Sequence, residues 1–185
     1  MKILKRILFF IADICLIIAC SKSDHFWGDE PLGNTMKGDN GKPIEVTVPF
    51  KTEFIYIYKS LNDEVPPCSA ETPTRVIADG FGTATHLGKF TTHADFCVSM
   101  TAPGFEVPFT SFISTNGDEL WLTTWCESAD EPWNAPFLFI GGTGRFKGAS
   151  GKGFYKGYNY PDDDSPVGLA CHAIFEGTLI MVKGE

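Results

Sequence analysis

The chain is short of positive charge, with 15 Lys and Arg against 23 Asp and Glu and a formal net charge of −8. Nucleic-acid partners select basic patches that displace counterions, so this balance argues against one. Long apolar runs are also missing. The longest, Ile7 to Ala19, has about thirteen residues with Asp13 inside it, short of the ~20 that span a bilayer. No two cysteines stand at C-x₂-C spacing, which removes the commonest structural zinc framework. A Gly-x-Ser-x-Gly nucleophile elbow is absent, as are the Walker and Rossmann glycine signatures. The four histidines, His25, His86, His93 and His172, fall on different segments, with His86 and His172 expected at opposite ends of the fold. The sequence therefore offers no catalytic constellation, no metal site and no cofactor motif.

What is present begins with an address. Lys2, Lys5 and Arg6 precede the short apolar run, and Ile17-Ile18-Ala19-Cys20 closes it. A charged head, a short apolar core and small residues before a cut describe a secretory signal over residues 1–19. The closing tetrapeptide resembles the bacterial lipobox. That resemblance implies that Cys20 becomes the lipidated N-terminus and that the protein sits in the cell envelope on its acyl chains. Ser21 rather than Asp after the cysteine implies the outer membrane.

Cleavage after Ala19 removes Lys2, Lys5, Arg6 and Asp13, leaving 12 basic and 22 acidic residues and a net charge of −10. Such a chain would not adsorb on anionic lipid heads, so the lipid itself must anchor it. Residues 20–43 read as a tether, punctuated by Gly28, Pro31, Gly33, Gly38 and Gly41 and too poor in apolar residues to fold alone. Residues 44–185 form one domain. Its cysteines are Cys68, Cys97, Cys126 and Cys171. An even number in an exported chain suggests disulfides, with three pairings open.

The domain reads as short strands. Proline and glycine recur about every ten residues, and alternating segments lie between them. Ile44–Phe50 and Phe54–Tyr58 are one or two strand segments bent near Pro49. Leu61–Pro73 is expected to be a loop, Arg75–His86 a strand, Leu87-Gly88-Lys89 a turn and Phe90–Met100 a strand. Val107–Thr115 and Glu119–Glu127 make a hairpin, with Asn116-Gly117 predicting a type I′ turn. Ala135–Gly142, Gly151–Tyr160 and Leu169–Val182 complete the set. This is an all-β chain, an eight-stranded antiparallel up-and-down barrel, since closure removes exposed edges. In that order all four cysteines fall toward one end.

The stretch Gly141 to Gly153 holds six glycines in thirteen residues. Gly141, Gly142 and Gly144 permit tight backbone approach, and Phe146 can drop into the barrel end as a plug. The segment Ile140-Gly141-Gly142-Thr143-Gly144-Arg145-Phe146-Lys147-Gly148-Ala149-Ser150-Gly151 resembles the Gly-Gly-Thr-Gly-x-Phe-x-Gly-Ala-x-Gly signature of the allene oxide cyclase and dirigent barrels. Gly80-Phe81-Gly82-Thr83-Ala84-Thr85-His86-Leu87-Gly88-Lys89 resembles a second signature of small bacterial barrel lipoproteins. The resemblance implies a calycin-like, allene oxide cyclase-like barrel. It transfers no catalytic residue, because neither family activity resides in the glycine motif.

Aromatic side chains are the candidate ligand contacts. Trp121 and Trp125 share one face of a strand, and Phe137 and Phe139 share another; both pairs could line a cavity or simply fill the core. Asp118-Glu119 sits at a hairpin tip, and Asp162-Asp163-Asp164 lacks spaced calcium ligands. The expected role is a lipid-anchored envelope protein that binds a small apolar ligand in its barrel or serves as an interaction module. A cyclase- or isomerase-like enzyme that moulds an apolar substrate is the alternative. Oligomeric state has no sequence signal.

Overall fold

The computed structural model describes residues 43–63, 68–99, 105–126 and 132–183. The signal segment 1–19, Cys20 and the tether up to residue 42 lie outside the described residues.

Eight strands close an antiparallel barrel in simple meander order. They are β1 (Ile44–Asp63), β2 (Thr74–Ala84), β3 (Gly88–Val98), β4 (Phe105–Ser114), β5 (Glu119–Cys126), β6 (Trp133–Gly142), β7 (Ser150–Pro161) and β8 (Leu169–Lys183). Between β6 and β7 the chain makes a single 3₁₀ turn at Gly144–Phe146. Strand β1 closes the barrel by pairing with β8 over Ile44–Ile57 and with β2 over Thr52–Asp63. The closed barrel is thus complete within residues 44–183.

Several expected boundaries move. Strand β1 is continuous, because Pro49 costs no ladder bond. The Pro49 carbonyl faces the β2–β3 turn, where Thr85 Oγ1 and His86 Nε2 lie 3.3 and 3.2 Å away. The missing N–H points to that same side, beyond the last β1–β2 pair, Thr52 and Ala84, so the strand continues. Residues Leu61 to Asp63 belong to β1 rather than a loop. Strand β6 starts at Trp133, two residues before the expected Ala135. The β2–β3 turn is Thr85 to Leu87, two residues before the expected position. It puts His86 at φ 67°, the one positive φ among described non-glycine residues, and buries Leu87 against the barrel end.

The Asn116-Gly117 hairpin is real, but its turn is not type I′. Only Gly117 has positive φ, at 85°. The Gly117 amide donates to the Ser114 carbonyl and the Ser114 amide to the Asp118 carbonyl, both at 2.9 Å. That is a three-residue loop, a type I turn closed by a left-handed glycine.

At the β6–β7 corner, Thr143 ties back to β5: its amide donates to the Glu119 carbonyl, and its hydroxyl accepts from the Glu119 amide at 2.9 Å. Gly144 turns at φ 54°, and a Cβ there would collide with the Asp118 carboxylate. Arg145 pairs with Asp118 at 3.3 Å. Phe146 is fully buried. Gly151, at φ 137°, re-enters the sheet so close to β8 that a Cβ would lie 2.2 Å from the Thr178 carbonyl oxygen.

Candidate functional site

Strand alternation places Phe50 and Phe54 of β1, Phe90 of β3, Phe112 of β4, Phe137 and Phe139 of β6 and Phe175 of β8 inside the barrel, all buried. Their rings form one connected network: Phe50–Phe139 and Phe54–Phe112 meet edge to face at centroid distances of 4.8 and 5.3 Å, and Phe137–Phe175 is tilted at 5.1 Å. Leu87, Leu120, Phe146 and Ala149 complete this cluster. It fills the end of the barrel that carries the glycine corner.

Toward the other end the inward side chains shrink. Strand β2 offers Val76 and Ala78, β3 Ala94 and Val98 with the larger Phe96 between them, β4 Thr110, β5 Thr124 and β8 Cys171 and Ala173. A cavity of about 270 Å³ remains there, at the small end of ligand pockets, which run ~300–1,000 Å³. Phe175 forms its floor with Leu122 and Tyr155, and its wall reaches Leu61, Ser99, Trp133 and Leu169 near the strand ends.

Two tyrosines bring polar groups to this wall. Tyr56 lies across β2, where Gly80 leaves room: a Cβ there would meet the Tyr56 ring at 2.9 Å and the Thr92 methyl at 2.6 Å. The Tyr56 hydroxyl is 3.3 Å from Thr92 Oγ1 and also interacts with the Thr110 hydroxyl. Burial pushes the Tyr56 phenol up to about 12, because the anion would lose its hydration. Burial raises Tyr155 further; its ring stacks on Phe175 at 4.9 Å. The Tyr58 hydroxyl donates to Asn159 Oδ1 at 3.0 Å. Among the described lining residues none is Asp, Glu, Lys, Arg or His.

All four domain cysteines are at the cavity end: Cys68 in the β1–β2 connection, Cys97 and Cys126 at the ends of β3 and β5, and Cys171 at the start of β8. Cys68 and Cys97 form a disulfide. Cys126 and Cys171 are buried and outside any disulfide, and Cys171 lines the cavity.

The aromatic pairs singled out from the sequence do not line it. Trp121 and Trp125 point outward, because Leu120, Leu122, Thr124 and Cys126 take the inward positions of β5. The Trp121 indole N–H donates to Glu119 Oε2 at 2.7 Å on the outer face, and its ring meets Phe109. An indole needs such a polar partner, and the outer face supplies it. Phe137 and Phe139 do point inward, but into the packed cluster rather than the cavity. Gly141, Gly142, Gly144 and Phe146 stand at the opposite end from the cavity.

Charged residues are occupied structurally. Glu119 Oε2 accepts from Ser111 as well as Trp121. His93 pairs with Asp79 and His172 with Glu53, each at 2.8 Å on the outside. No group of His, Cys, Asp or Glu among the described residues is arranged to hold a metal ion. Sequence reasoning missed Tyr56, Tyr58, Thr110 and Asn159. Small inward residues, Ala78 on β2, Ala94 on β3 and Cys171 and Ala173 on β8, were the signal that could have found the site.

Solved structures share this fold, among them two dirigent proteins. The pterocarpan synthase dirigent protein GePTS1 matches with a TM-score of 0.52 at 18% identity, over 76% of this chain and 88% of that one. The pterocarpan synthase dirigent protein PsPTS1 matches with a TM-score of 0.53 at 17% identity, over 75% and 97%. No family model matches the sequence, and no curated protein does. The likeness is one of architecture, the closed eight-stranded antiparallel barrel.

Proposed function

We propose that the protein is a lipid-anchored component of the cell envelope, delivered to the outer membrane, whose barrel holds a small apolar ligand without reacting with it. The observation that carries this reading is the contrast inside one barrel: a tightly filled phenylalanine end and a hollow end of about 270 Å³. Apolar walls with a few fixed polar groups are the usual make-up of a ligand site. The anchor reading rests on the signal segment 1–19 with its closing Ile17-Ile18-Ala19-Cys20, and the outer-membrane reading on Ser21.

A substrate-moulding role is the second reading. It is favoured by the fold shared with dirigent proteins named as pterocarpan synthases. Against it, the described wall offers tyrosines, threonines and a thiol but no carboxylate or imidazole to move a proton.

Native mass spectrometry of the protein isolated from its own envelope tests the first reading. A bound small molecule of unchanged mass on release is expected, and it should be lost when Ala78→Leu and Ala94→Leu fill the cavity. Isolation in the bare state at every preparation counts against ligand holding, and recovery of a chemically altered molecule supports moulding. Radiolabelled palmitate tests the anchor separately: it should enter the wild type and not Cys20→Ser.

A further inference from the structure

The kind of ligand is written in the cavity wall, if the cavity is a ligand site as proposed above. A charged group entering this space would leave its hydration behind and meet no opposite charge, because no described lining residue carries one. Burying an unpaired charge is strongly unfavourable. The tyrosines do not supply a charge either, since burial keeps the Tyr56 and Tyr155 phenols protonated.

The wall does offer adjustable neutral partners. The hydroxyls of Tyr56, Thr92 and Thr110 form a cluster. Thr92 is 3% and Thr110 4% exposed, so water competes little for them. Each hydroxyl has one proton and two acceptor lone pairs, and rotation lets the cluster donate to or accept from a guest. Tyr56 and Thr110 line the cavity itself, while Thr92 supports Tyr56. Such a cluster favours a neutral polar group over a bare hydrocarbon, because an unfilled hydrogen-bonding group loses less when the guest can pair with it.

We infer that the cavity takes an uncharged molecule: a compact apolar skeleton bearing one hydroxyl or carbonyl, received by the Tyr56 and Thr110 hydroxyls. Carboxylates and ammonium ions of the same skeleton are excluded.

Equilibrium dialysis at neutral pH with four probes of one skeleton tests this: 2-naphthalenemethanol, naphthalene, 2-naphthoate and 2-naphthylmethylammonium. The protein is the chain from Ser21 onward, which retains all eight strands. The alcohol should bind most tightly, on the order of tenfold tighter than either ion. Combining Tyr56→Phe with Thr110→Val should bring the alcohol down to the level of naphthalene and leave naphthalene unchanged, which also shows that the variant is folded. Equal binding of the carboxylate or the ammonium ion overturns the inference, and so does an alcohol preference that survives the double substitution. If none of the four binds, the ligand-holding reading itself falls.

Discussion

Along β8, Cys171 and Ala173 face into the barrel near its first residues, while Phe175 and Leu179 face in further along. Strand β3 runs the opposite way, with Phe90 at the packed end and Ala94, Phe96 and Val98 on the cavity wall. The two ends of one barrel are therefore built from side chains of different size on a common frame. Backbone pairing differs as well, since β3 and β4 pair over Phe90–His93, on the packed side, and side-chain volume adds to that difference. One end closes the barrel with rings and a glycine corner; the other leaves space and holds its strand ends with a disulfide.

The largest test falls on the packed end. Phe146 is fully buried among Phe50, Leu120 and Leu179 in the main cluster. Phe146→Ala should cost about 3–5 kcal/mol in urea unfolding, from lost transfer energy plus the void left behind. A cost under about 1 kcal/mol would mean that the glycine corner is not a plug and that the two ends do not differ in this way.

At the hollow end the corresponding device is covalent. The Cys68–Cys97 bond closes a sequence separation of 29 residues, a loop for which chain-entropy arguments give about 2–4 kcal/mol. Cys68→Ser with Cys97→Ser should lose that much stability, and ligand binding should weaken with it because the disulfide sits at the cavity end. If the pair were lost with no change in unfolding midpoint, the hollow end would be held by its strand pairing alone.

One substitution made at both ends sharpens the contrast. Ala149 is 4% exposed in the packed cluster, its amide donating to the Phe146 carbonyl, and Ala94 is 2% exposed on the cavity wall. Ala149→Leu should cost about 1–3 kcal/mol by overpacking. Ala94→Leu should be neutral or stabilising by about 0.5–1 kcal/mol, as cavity-filling changes commonly are, and should abolish naphthalene binding. Equal costs at the two positions would show that the cavity is not an open space in solution.

How much of this was legible beforehand depends on the element. Alternation on β3 and β8, the hairpin at Asn116-Gly117 and the glycine corner were enough for the barrel and its strand order, although the hairpin's turn type was misread. The site was less legible. Strand β5 has two alternating faces, and large aromatics make the wrong one look like the core. Trp121 lies outside because its N–H has Glu119 to bond, which sequence spacing does not reveal. The disulfide pairing also needed the fold. Cys68 lies on the connection into β2, which neighbours β3 and so Cys97, whereas Cys126 and Cys171 belong to β5 and β8, which do not border β2. Tyr56 looked like an ordinary strand residue until Gly80 gave its ring a place across the adjacent strand.

The smallest effect should come from the outer surface. Arg75 grips Asp95 with two hydrogen bonds, at 2.8 and 2.7 Å, beside the disulfide end. The Arg75 guanidinium holds the Asp95 carboxyl below the usual aspartate range. The pair's contribution is therefore complete above the unfolded aspartate value of about 4 and fades as pH falls through the lower folded one. Because the pair is solvated, Arg75→Ala should lose little in unfolding at neutral pH, and that small difference should vanish as pH falls through the acid window. Matched acid titrations of unfolding for the two proteins check this. A neutral-pH loss as large as that of the disulfide variant would place the strength of the hollow end on its outer face, and the contrast drawn from interior volume would no longer account for how the two ends are held.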